Sequence, residues 1–139
     1  MKRLSFIVVI FLLAIACKEK SFSPEGPTDV RISNLSDLAF EEVIINTSEN
    51  EEDTDTLGTI NDHAISDYFR FTKAYPKAEV SAKINAGGSL VLFSTGDVDF
   101  TYMQYIGQDR ITYEVWISDY PNRVLAISDV IIEEPLVLK

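Results

Sequence analysis

Residues 78–94 read Ala78-Glu79-Val80-Ser81-Ala82-Lys83-Ile84-Asn85-Ala86-Gly87-Gly88-Ser89-Leu90-Val91-Leu92-Phe93-Ser94. In an extended chain Ala78, Val80, Ala82 and Ile84 fall on one side, with Glu79, Ser81 and Lys83 on the other. A period of two with one apolar face is the signature of a half-buried β-strand. Gly87 and Gly88 can adopt positive φ without a Cβ clash. Asn85 to Gly88 therefore predicts a tight hairpin turn into a second strand, Ser89 to Ser94.

The same period recurs on both sides of this hairpin. Val30 and Ile32 alternate with polar residues, and Phe40 to Thr47 is β-branched. Thr56 to Ile60 predicts a short strand, and Tyr68 to Thr72 another with Phe69 and Phe71 on one face. Val98 to Tyr105 alternates with Val98, Phe100 and Tyr102 aligned. Arg110 to Ser118 places Ile111, Tyr113, Val115 and Ile117 together and Trp116 opposite. Val124 to Glu134 predicts the last long strand, before a short apolar tail, Leu136 to Leu138. Turn-forming residues separate these runs. No window past Thr28 keeps apolar residues at i, i+3, i+4 and i+7. The expected architecture over residues 29–139 is one all-β domain, an immunoglobulin-like β-sandwich, with a small β-barrel as the alternative. The Cys…Trp…Cys core of antibody domains is missing, so that likeness is architectural only.

The N-terminus reads as an address. Lys2 and Arg3 precede an apolar run from Leu4 to about Leu13, and Ala14-Ile15-Ala16 supplies small residues. This is the layout of a secretory signal, and the run is shorter than the roughly 20 residues a spanning helix needs. The one cysteine, Cys17, follows directly. Leu13-Ala14-Ile15-Ala16-Cys17 resembles the lipobox of bacterial lipoproteins, with Ala14 at a position that family most often fills with Leu. The resemblance implies cleavage before Cys17, acylation of its thiol and amino group, and a membrane anchor. Residues 1–16 are then the signal peptide. Residues 17–28, with Pro24, Gly26 and Pro27, are the lipidated cysteine and a flexible tether. Lys18-Glu19-Lys20 is similar to the charged segment that directs some Bacteroidetes lipoproteins across the outer membrane. The implied location is the bacterial outer membrane, facing either the periplasm or the outside. The remaining reading is an ordinary secreted protein.

Charge and cysteine use exclude whole classes. Lys plus Arg is 12 and Asp plus Glu is 22. Without Lys2 and Arg3 the balance is 10 against 22, a net charge of −12. Such a surface repels nucleic acid and favours solubility. With Cys17 acylated the domain has no thiol for disulfides, zinc clusters or nucleophilic catalysis, and no cofactor is expected.

Residues that carry chemistry are few. His63 lies in a polar turn, as a base oriented by Asp62 or Asp67 or as a plain exposed residue. Glu49, Glu51, Glu52, Asp53 and Asp55 form an acidic stretch that reads as a solvated loop, since its spacing matches no EF-hand. A carboxylate hydrolase stays open as an alternative function, because sequence does not say which acids meet. Trp116 is out of phase with its strand, as are Met103 and Tyr105 with theirs. If these two strands pair antiparallel around Gly107, the three share one face and offer a platform for a protein or glycan partner. Otherwise both faces of a central strand are covered, or a bulge corrects the phase.

The segments Asp29-Val-Arg-Ile-Ser-Asn-Leu-Ser, Phe40-Glu-Glu-Val-Ile-Ile-Asn-Thr, Phe71-Thr-Lys-Ala-Tyr75 and Ile111-Thr-Tyr-Glu-Val also resemble small Bacteroidetes lipoproteins of unassigned activity. That resemblance implies fold and compartment, and no mechanism. The expected role is a non-enzymatic binding or envelope-structural module.

Overall fold

A computed structural model describes residues 27–133. The signal peptide, Cys17, most of the tether and the apolar tail lie outside the described residues. Eight strands follow in order: β1 (Thr28–Asn34), β2 (Phe40–Asn46), β3 (Thr54–Ile60), β4 (Phe69–Phe71), β5 (Glu79–Ala86), β6 (Ser89–Ser94), β7 (Arg110–Asp119) and β8 (Val124–Glu133). A single 3-10 turn, Glu51–Asp53, is the one helical element among the described residues.

The strands form one mixed sheet in the order β3-β2-β5-β6-β8-β7-β1-β4, nearly closed into a barrel. Its two halves, β3-β2-β5-β6 and β8-β7-β1-β4, are joined by a single ladder pair, Ser94 with Val124. Both contribute to one core. Val43, Ile45, Val80, Ala82, Ile84 and Phe93 from the first half pack with Val30, Ile32, Ile111, Tyr113, Val115 and Leu125 from the second. Each buried Val, Ile, Leu or Phe among them contributes about 1.5–3 kcal/mol. The all-β expectation holds, and the fold has features of both the sandwich and the barrel. The strand order is its own: β1 lies inside its half, parallel to β7 and antiparallel to β4.

The hairpin of residues 79–94 forms as its pattern requires. β5 and β6 pair from Ser81 with Ser94 to Ala86 with Ser89, and Gly87 and Gly88 turn at φ 69° and 92°. Asn85 Oδ1 accepts the Gly88 N–H at 2.9 Å and closes the turn.

β2 shows a correction made by the backbone. Phe40 and Val43 are both buried although three residues apart, which a regular strand does not allow. The ladders to β3 and β5 both shift register between Phe40 or Glu41 and the residues that follow. Glu42 sits at φ 46° within that irregularity and pairs outward with Lys83. The bulge thus turns Phe40, Val43 and Ile45 all inward.

Residues 98–105 depart from expectation and form no strand. The Asp99 carboxylate accepts the Thr101 N–H at 2.9 Å, and Met103 N–H reaches the Phe100 carbonyl at 3.3 Å. Local turn bonds of this kind compete with a sheet ladder and here replace it. Phe100 is buried while Tyr102 is fully exposed, so the apolar alternation does not mark a common face.

Candidate binding surfaces

Trp116 is placed by its neighbours' burial. Tyr113 and Val115 of β7 are fully buried, so Trp116 faces outward and is 43% exposed. The parallel pairing of Asn34 with Val115 brings the end of β1 to the same level. Asn34 is buried, and its amide organises the segment that follows. Nδ2 donates to the carbonyls of Leu38 (2.8 Å), Asn61 (3.1 Å) and Ile60 (3.3 Å), while Oδ1 accepts the Ser36 N–H at 2.9 Å. Leu35 N–H bonds the Val115 carbonyl at 2.8 Å, and Ile117 N–H bonds Ser36 Oγ at 2.9 Å. The loop is therefore fastened to β7 with Leu35 and Leu38 beside Trp116.

Tyr120 comes from the β7–β8 turn, which Asp119 closes by accepting Asn122 N–H (3.1 Å) and Nδ2–H (2.7 Å). Its ring lies 5.5 Å from that of Phe93. Leu35, Leu38, Trp116 and Tyr120 surround a hollow of 280 Å³, and all four are substantially exposed. The sequence singled out Trp116 and missed the other three. Their signal was present as large apolar residues inside turn segments, where core burial does not call for them.

Met103 and Tyr105 lie elsewhere. Tyr105 packs at a tilt against Tyr75 with ring centroids 4.8 Å apart, and Tyr75 stacks on Phe100 at 5.2 Å. Met103 lines a 520 Å³ hollow together with Tyr75 and Phe100. The expected platform of Met103, Tyr105 and Trp116 is not assembled. β7 pairs with β1 and β8, and residues 98–105 pair with no strand.

Lys73 anchors the Tyr105 side. Its Nζ lies 4.3 Å from the Tyr105 ring centroid and 3.0 Å from Glu49 Oε1. The Tyr105 phenol first, and then Glu49, raise the Lys73 pKa above its ordinary value and hold the ammonium charged. Burial raises the Tyr75 phenol, and Tyr113 is raised by its own deep burial. The Tyr113 hydroxyl donates to the Tyr75 carbonyl.

The Glu49 carboxyl is held below its ordinary 4.5, chiefly by its own backbone N–H and then by Lys73. Asp29 is held below 3.8, chiefly by the Arg70 guanidinium at 2.8 Å. Carboxylates with lowered folded values stabilise fully above their unfolded values and lose that contribution as pH falls through the folded ones. We expect stability to fall on the acid side of pH 4.5. Glu49→Gln and Asp29→Asn should each flatten that limb, and unchanged acid limbs in urea unfolding against pH would refute the assignment.

The acidic stretch is only partly a solvated loop. Asp53 is completely buried. Oδ1 accepts Thr72 N–H (2.7 Å), Thr72 Oγ1–H (2.8 Å) and Lys73 N–H (3.3 Å), and Oδ2 accepts Ser48 Oγ–H (2.6 Å). These hydroxyls and amides form a cradle for one buried carboxylate, a structural post between the β2–β3 loop and the chain after β4. Glu51, Glu52 and Asp55 stay exposed. Among the described residues no three His, Cys, Asp or Glu side chains converge as a metal would need.

His63 pairs with neither Asp62 nor Asp67. Its Nε2 lies 2.7 Å from Asp37 Oδ1, both side chains well exposed, and its backbone sits at φ 55°. The pair ties two loops at the Trp116 end.

No protein-family model and no curated protein matches the chain. A solved NMR structure of a protein from Eubacterium rectale is similar at 14% identity, covering 82% of this chain and 96% of that one, with a TM-score of 0.47.

Proposed function

We propose that this chain is a lipid-anchored extracytoplasmic binding module that presents the Trp116 patch to a protein partner. The observation that carries the reading is the contiguity of Leu35, Leu38, Trp116 and Tyr120 around one hollow. Scattered exposed apolar residues are ordinary, whereas four together around one hollow leave apolar surface that a partner would cover. Two leucines beside two aromatics suit a protein better than a sugar, which asks for more hydrogen-bonding groups.

The anchor reading fits the patch's position. The chain enters the domain at Thr28, and β1 carries it to Asn34, six intervals on. At about 3.3 Å per residue that is roughly 20 Å. In this reading an anchor at Cys17 holds the Thr28 end nearer the membrane and leaves the patch pointing away.

A carboxylate hydrolase is the lesser reading. The 520 Å³ hollow does hold Glu49, Glu79 and Asp99. Yet such chemistry needs one acid kept protonated, and Glu49 and Asp99 are both held below their ordinary values, Asp99 chiefly by the Thr101 hydroxyl. Ionised acceptors favour binding over proton donation.

The test is affinity capture from the native envelope with the full-length protein and its Trp116→Ala form. A central aromatic anchor contributes about 2 kcal/mol or more, so a captured partner should bind about 30-fold more weakly to the variant. Equal recovery by both forms refutes the patch. Release by free oligosaccharide would assign the patch to a glycan instead.

A further inference from the structure

A second surface, lined by residues 98–103, carries one residue that packing does not explain. Tyr102 is wholly exposed and sits at φ 67°, a conformation that glycine or asparagine adopts more readily. Its ring buries nothing in this chain, so neither core packing nor backbone preference accounts for a tyrosine there. Tyr102 stands at the rim of the 520 Å³ hollow, whose lining includes the stacked Tyr75 and Phe100 and the carboxylates of Glu49, Glu79 and Asp99.

The charge of that hollow is unbalanced. Glu49 is neutralised by Lys73. Among the described residues, Glu79 accepts from neutral donors, Val98 N–H at 2.9 Å and Asn46 Nδ2–H at 3.2 Å. Asp99 likewise accepts the Thr101 N–H. These bonds orient both carboxylates without cancelling their charge, and no Lys or Arg is among the described residues lining the hollow. A metal ion asks for three or more ligands, and among the described residues no three His, Cys, Asp or Glu side chains come together. An organic cation with an apolar stem fits the hollow. Its stem lies against Met103, Val98 and Phe100, and its charge meets an aromatic face and two carboxylates.

We propose that this hollow binds a Lys or Arg side chain of an extended peptide, with the cation on the Tyr102 ring and against Asp99 and Glu79. The site lies away from the Trp116 patch, so each stands or falls alone.

The test is an NMR titration of the full-length protein at 0.15 M salt, where remote surface charge is screened. The probe is a short glycine peptide with two arginines, and its citrulline counterpart of the same shape without the charge. The arginine peptide should bind at least tenfold more tightly than the citrulline one. Tyr102→Ala and Asp99→Asn should each weaken it about tenfold, Tyr102→Phe should retain it, and Asp62→Asn, in an exposed turn away from the hollow, should leave it unchanged. Equal binding of the two peptides overturns the proposal. So does equal weakening by Asp62→Asn and Asp99→Asn, which would show attraction to net charge alone.

Discussion

Asp53→Ala should destabilise the domain by about 2–3 kcal/mol, since it removes a wholly buried acceptor from the buried Ser48 hydroxyl and from three part-buried donors of Thr72 and Lys73. Thr72 N–H and Lys73 N–H are backbone groups and cannot turn to other partners. The buried Ser48 hydroxyl also loses its acceptor, while that of Thr72 keeps a long contact to Glu52 Oε1 at 3.5 Å. A domain of this size has about 5–15 kcal/mol in total, so the loss is a large share. Asp53→Asn separates charge from shape. Its carbonyl oxygen can take the place of Oδ1 and keep both backbone donors. Its amide then sits at the Oδ2 position, where the Ser48 hydroxyl can rotate to accept. About 1–2 kcal/mol is expected for Asn. Urea unfolding of the three proteins decides: an alanine variant within 1 kcal/mol of the parent would mean that water replaces the carboxylate in the cradle.

The second large effect concerns Cys17. In the lipoprotein reading, the parent protein carries acyl groups on Cys17 and lacks residues 1–16. Each buried methylene contributes about 0.8 kcal/mol, so two or more chains hold the protein to the membrane stably. Cys17→Ser should abolish acylation and retain residues 1–16, and intact-mass measurement of both forms reads each change directly. Phospholipid vesicles should retain the parent and not a Cys17→Ser protein whose signal segment has been removed. An unmodified Cys17 in the parent overturns the anchor and leaves a secreted domain.

Of the candidate residues, Trp116 was legible because Ile111, Tyr113 and Val115 set the inward phase of β7, although Thr112 is buried on the other face. With Tyr113 and Val115 buried, its outward direction follows. Met103 and Tyr105 were assigned a face by the same logic, and it failed there. Alternation reports a common face only where a ladder holds the chain extended. From residue 98 on, side-chain and turn bonds take that role, and each aromatic finds its own environment. Tyr102 and the Asp53 cradle were illegible for a related reason. A run of acids looks solvated until distant donors, here Thr72 and Lys73, arrive around one of them.

The sequence by itself determined the period, and with it the all-β class, the β5–β6 hairpin and the inward set on β7. These depend on backbone geometry and on which side chains avoid water, both local to each strand. Only the tertiary structure decided the rest. The parallel pairing of β1 with β7 joins residues 81 positions apart and so brings Leu35 and Leu38 to Trp116. The bulge in β2 lets Phe40 and Val43 enter one core. Long-range pairing is selected by total burial and by satisfaction of backbone bonds across the whole sheet, and no single stretch of chain encodes either.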